Sequence, residues 1–182
     1  GTDPVVILLY PPGKGQSMKG PGDWDGLSNN LSKSGYNVFR FDWRGHGKST
    51  DIKDTKKFWD NNFTTGWNAK FVKGAPFGAV KKIKNEIFFK DLTNPAAYLP
   101  VYMTDLAAAR YHLDGKNDTG DLNMSSVYVI GSGDAATIGF GWMTAEWNRP
   151  ASAPTPNQLG PNPRYEFIPQ PLVGGIPTEA GA

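Results

Sequence analysis

Val127-Tyr128-Val129-Ile130-Gly131-Ser132-Gly133-Asp134-Ala135-Ala136-Thr137-Ile138-Gly139 is the stretch whose reading decides the fold. It opens as an apolar run rich in β-branched residues, the composition of a buried parallel strand. It then passes through small residues into a segment that can be helical. Strand, tight turn and helix make the layout of a nucleophile elbow. There, G-x-S-x-G seats a serine on a strained turn, and small neighbours let strand and helix approach closely. With Gly131 as the first small residue and Ala135 as the last, the serine position falls on Gly133. The expected elbow is Gly131, Ser132, Gly133, Asp134 and Ala135. A strand over 127–131 and a helix over 135–147 would flank it, with Gly133 at the apex.

Working outward, Val5-Val6-Ile7-Leu8-Leu9-Tyr10 reads as a central parallel strand, and Pro11 to Ser17 as a turn and loop. Trp24, Leu27 and Leu31 recur at helical spacing, and Gly35 suits the position just past a helix end. Tyr36 to Asp42 is a second strand, running into Asp42-Trp43-Arg44-Gly45-His46-Gly47-Lys48-Ser49. Residues 50–97 read as an insertion whose aromatics pack on the core and whose lysines are solvated. Pro100 to Leu113 has an apolar stripe of Val101, Leu106, Ala109 and Leu113, which predicts a helix. The organisation expected is a core over 1–150 that contains the 50–97 insertion, followed by a proline-rich extended tail over 151–182. Strands alternating with helices argue for an α/β three-layer sandwich with a mostly parallel sheet.

The 182 residues carry 19 basic and 17 acidic side chains, for a formal net charge of +2. That balance argues against a nucleic-acid partner or an anionic membrane surface. No apolar run approaches the roughly 20 residues of a membrane helix, so membrane insertion is not expected. There is no cysteine, so a disulfide framework and a thiolate metal site are both excluded. The compartment stays open; the missing cysteine and the start at Gly1 without methionine lean toward an extracytoplasmic one.

At Asp42-Trp43-Arg44-Gly45-His46-Gly47-Lys48-Ser49 the chain resembles the α/β-hydrolase superfamily, whose esterases and lipases carry D-x-R-G-H-G-x-S after a strand. The apolar run at 5–10, the glycine loop at 13–15, this segment and the elbow come in the family's order, a likeness covering about residues 4–149. It also resembles a serine-less group of hydrolase-like proteins from planctomycete bacteria. The resemblance implies a partial α/β-hydrolase fold, with the family's first strands and last three strands outside this chain. Three departures stand against activity. The nucleophile position is Gly133. The oxyanion loop reads Tyr10-Pro11-Pro12-Gly13, and proline has no N–H to stabilise an oxyanion. No histidine follows residue 133, the only two being His46 and His112.

The weak catalytic candidates are therefore Ser132, one place early; Asp134, if the register slips as in aspartate-nucleophile dehalogenases; and His46 as a recruited base. Their structural alternatives are a locally bonded turn serine, an aspartate favoured by a helix N-terminus, a loop histidine, and for His112 a packed or capping role. Asp42 and Arg44 could pair within their loop. No cofactor and no metal are expected. Gly13-Lys14-Gly15 lacks the rest of a phosphate-binding loop. The leading reading is a non-catalytic hydrolase-like protein, a structural or binding component of a larger assembly with protein partners. In that reading Trp142, Trp147 and the aromatics of 58–67 serve as interface anchors. The alternative is an active esterase-like or dehalogenase-like hydrolase of a small-molecule substrate, completed by residues outside this chain.

Overall fold

The computed structural model of the chain describes residues 3–19, 24–59, 63–74 and 84–147. The 151–182 tail lies outside the described residues. Three strands form one parallel sheet: β1 (Pro4–Leu9), β2 (Asn37–Arg40) and β3 (Asn123–Gly131). Their order is β2-β1-β3, with both pairings parallel. The helices are α1 (Trp24–Lys33), α2 (Thr55–Trp59), α3 (Phe63–Phe71), α4 (Leu99–Asp118) and α5 (Asp134–Trp147). The chain thus has the parallel sheet and helices of the expected α/β architecture.

β1 is the centre because it can be buried on both faces, as a run of five apolar residues requires. Val5, Ile7 and Leu9 enter the main core with Tyr102 and Leu106 of α4 and Ala135 and Ile138 of α5. Val6 and Leu8 point to the opposite face, by the alternation of a strand, and are buried there. α5 lies close on the sheet: a Cβ added at Gly139 would come within 3.2 Å of Val129 and 3.3 Å of Leu9. A larger residue there would lift the helix off the strands.

Several expectations shift by a residue or more. β3 begins at Asn123, four residues before the predicted strand, and α4 runs on to Asp118. β3 is also less buried than its apolar run suggests. Val127 and Val129 pack on the core, while Tyr128 is 52% and Ile130 37% exposed on the other face. α5 packs on the Val127 and Val129 face, and β3, which among the described strands pairs with β1 alone, is less covered on the other. Trp142 points inward from α5 and is buried, so it is a core residue and not an interface anchor. Trp147 has no described side chain, while Phe58, Trp59 and Trp67 are partly buried against the core. The 50–97 insertion is closed on itself by a hydrogen bond from Ile87 N–H to Thr50 C=O and tied to the 42–49 segment by one from Phe89 N–H to Gly45 C=O.

Candidate functional site

Two stretches lie at the C-terminal end of the sheet, on either side of β1: the turn after β3 and the 42–49 segment after β2. At the first, Gly131 ends β3, and α5 begins at Asp134. Gly133 has φ +53, and among the described residues no non-glycine residue has a positive φ. That left-handed conformation is strained for a residue bearing Cβ and open to glycine. Ser132 and Asp134, its neighbours, are both exposed. Asp134 starts the helix without a left-handed backbone, so the backbone gives no slip of the apex onto it. Space at the apex is open: a Cβ on Gly133 would find only Pro11 Cγ, at 3.8 Å.

The 42–49 segment is built around Asp42. Its carboxylate accepts from Tyr10 O–H (3.1 Å), Met18 N–H (2.7 Å) and Lys48 N–H (3.0 Å). Three donors to one carboxylate tie the end of β1, the loop after it and the segment itself into one body. Gly47, at φ +47, lies so close under this carboxylate that a Cβ would overlap it. Trp43 closes the same circle, donating its indole N–H to Tyr10 C=O (2.8 Å) and its backbone N–H to Tyr10 Oη (3.2 Å). Burial, ahead of the neighbouring Asp42 charge, pushes the Tyr10 phenol far above its ordinary range, so it stays a donor.

Arg44 does not pair with Asp42. It reaches across to α4 and grips Asp105, with Nε at 2.8 Å and Nη2 at 2.5 Å from Oδ1, while its backbone N–H bonds Oδ2 at 3.1 Å. Nη2 also donates to Thr104 Oγ1 at 2.9 Å. Asp42 already holds three donors, and Asp105 is the carboxylate that its helix aims at the guanidinium. Burial works against the Arg44 charge, and Asp105 more than offsets it, so the group stays protonated. Beyond this pair Tyr98 donates its hydroxyl to Asn68 in α3, whose amide donates to Phe58 C=O at 3.2 Å. A polar chain therefore links the insertion's helices to the sheet end. Tyr98 is pushed up to about 12, by burial first and against the pull of Arg44.

His46 sits in this body with its ring against Tyr10, Phe89 and Tyr102. Its Nδ1 lies 3.1 Å from Arg44 C=O, and its Nε2 accepts the Gly13 N–H at 2.9 Å. A carbonyl can only accept and an amide N–H can only donate, so the ring is neutral with its proton on Nδ1. Burial, the dominant cause, holds it below the ordinary imidazole range. Both ring nitrogens are used, and among the described residues no histidine hydrogen-bonds Ser132 or Asp134. His112 is exposed on α4, with its ring beside Phe39 at 6.1 Å. The contact of His46 with Gly13 consumes the one N–H that Pro11-Pro12-Gly13 has. Among the described residues there is no group of three His, Asp or Glu that could hold a metal, and no helix is long and apolar enough to cross a membrane.

Sequence reasoning did not find Asp105, Tyr98 or Asn68. Only Asp105 left a signal: it falls four residues after Val101, on the side of the helix that the apolar stripe marks as inward.

A family model described as alpha/beta hydrolase fold matches residues 6–99, just over half of the chain. The match takes in β1, β2 and the 42–49 segment and ends ahead of the turn at 131–135. Comparison with curated proteins gives no match, and neither does comparison with solved structures.

Proposed function

Because the chain belongs to the α/β-hydrolase family, we propose that it is a member without hydrolase activity, serving as a structural or binding component of a larger assembly. The observation that carries this reading is Gly133. The left-handed turn residue after β3 has no side chain to act as nucleophile. Two further features support it. His46 has no free ring nitrogen with which to activate a neighbouring hydroxyl or water. The N–H of Gly13, the first after two prolines, is held by that same histidine and is not presented to an oxyanion. The structural role is supported by apolar surface on β3 and α5, where Tyr128, Ile130, Phe140 and Met143 are exposed. A place in the serine-less planctomycete group belongs to the same proposal and rests on Gly133.

The alternative is an active esterase-like or dehalogenase-like hydrolase using Ser132 or Asp134, both exposed beside the turn, and completed by residues outside this chain. Hydrolysis of p-nitrophenyl acetate and butyrate by the purified chain tests the proposal. No turnover above the buffer rate is expected from the wild type, nor from Gly133→Ser, which has room for the hydroxyl but no histidine to activate it. Turnover in the wild type that Ser132→Ala or Asp134→Asn abolishes would overturn the proposal.

A further inference from the structure

We propose that His46 is a proton-released latch: its unprotonated Nε2 holds the loop 11–19 against the C-terminal end of the sheet, and protonation there opens the Gly13 end of that loop. The device does not depend on whether the chain catalyses a reaction. It follows from which atom makes the contact. Gly13 N–H donates to the Nε2 lone pair at 2.9 Å, and Nδ1 is committed to Arg44 C=O at 3.1 Å. A proton taken from water at Nε2 sets two N–H donors facing each other, and the bond is lost with no alternative acceptor on the ring.

The ring is faced by aromatic groups from three elements. Tyr10 at the end of β1 and Tyr102 on α4 present rings at 6.1 and 5.9 Å, and Phe89 of the insertion one at 5.1 Å. Both tyrosines stay protonated, raised by burial. The Asp42 and Asp105 carboxylates favour a charged imidazole, but burial outweighs them. Asp105 is paired with Arg44, and the Asp42 carboxylate is turned to its three donors and makes no hydrogen bond to the ring. The buried ring therefore resists protonation while latched and accepts it once water reaches Nε2, which is the condition for a switch.

The loop has a second tether, which sets the form of the opening. Met18 N–H donates to Asp42 at 2.7 Å, and Met18 C=O accepts from Arg40 Nη1 at 3.2 Å. Release at Gly13 leaves the Met18 end fixed, so the loop swings rather than detaches. The piece that moves includes Pro11, the residue nearest the open apex at Gly133. Opening would therefore widen access to the end of β3 and the start of α5.

The test is a pH titration of the full 182-residue chain by 1H–15N NMR between about pH 8 and 5. The Gly13 amide should shift in one step that coincides with the His46 ring protons. Its protection against exchange should fall up to tenfold per pH unit below about 6.5. The Met18 amide should stay unmoved, and His46→Gln, whose side-chain amide carries no titratable proton, should abolish the Gly13 step. The proposal fails if Gly13 is flat while His46 titrates, or if Gly13 and Met18 move together. It also fails if His46 stays neutral until the whole chain unfolds, or if the step persists in His46→Gln. Should that variant not fold, the coincidence of the wild-type Gly13 and His46 curves decides alone.

Discussion

Gly47→Ala, read against Gly15→Ala, separates backbone strain from lost packing in the 42–49 segment. Both glycines have positive φ, +47 and +74, so alanine at either position meets a left-handed penalty of roughly 1–2 kcal/mol. They differ in surroundings. A Cβ at Gly15 has nothing within 4 Å, whereas one at Gly47 overlaps the Asp42 carboxylate. That carboxylate must move, and with it go bonds from Tyr10, Met18 and Lys48. Hydrogen bonds to a charged group contribute about 1.5–3 kcal/mol each, and losing one of the three is the minimum. Gly47→Ala should then cost about 2.5–5 kcal/mol and Gly15→Ala about 1–2 kcal/mol. In urea unfolding followed by tryptophan fluorescence, the difference appears as a lower midpoint at unchanged slope. In a thermal scan it is roughly 2–4 °C per kcal/mol for a chain of this size. If the two variants fall within about 0.5 kcal/mol of each other, Asp42 is not the hub described and the argument from its three donors is wrong.

Asp105→Ala strands the Arg44 guanidinium. Its side chain is only 22% exposed, so with partial solvation the cost should be about 2–4 kcal/mol in urea unfolding. The pair Arg44→Met with Asp105→Leu should cost much less than the two single changes summed. Additive behaviour in that double-mutant cycle would contradict a coupled buried pair. Tyr102→Phe removes a buried hydroxyl that has no hydrogen-bond partner among the described residues, so stability should be unchanged or raised by up to about 1–2 kcal/mol. A clear loss there would mean that the hydroxyl is satisfied after all. As for pH, the folded value of His46 lies below the unfolded one near 6.5. The unfolded chain therefore binds the extra proton, and the stability His46 contributes is whole above about pH 6.5 and lost as pH falls below it. His46→Gln should flatten that part of the stability–pH curve measured by urea unfolding. A curve as steep as the wild type's would assign the dependence to other groups.

The local chemistry of the chain was legible in order along its length. The apolar runs at 5–10 and 127–131 read as strands, and the small residues after Ile130 as a tight turn. The D-x-R-G-H-G-x-S segment pointed to the family, because these signals depend on neighbours within a few residues. The left-handed turn at Gly133 and the missing side chain there could be stated from register alone. What only tertiary structure decided was which side chain meets which. Arg44 could have paired with Asp42, two residues away. It pairs with Asp105, 61 residues away, because Asp42 is filled by donors from three separate places. Trp142, an aromatic suited to an interface, turned inward because α5 packs that face on the sheet. Tyr128 and Ile130, in a run that reads as buried, are exposed because burial of a strand depends on what lies over it. His46 shows the division most plainly. The sequence offers an imidazole, and only the fold, by bringing Gly13 N–H to one nitrogen and Arg44 C=O to the other, fixes its tautomer and removes it from the list of free bases.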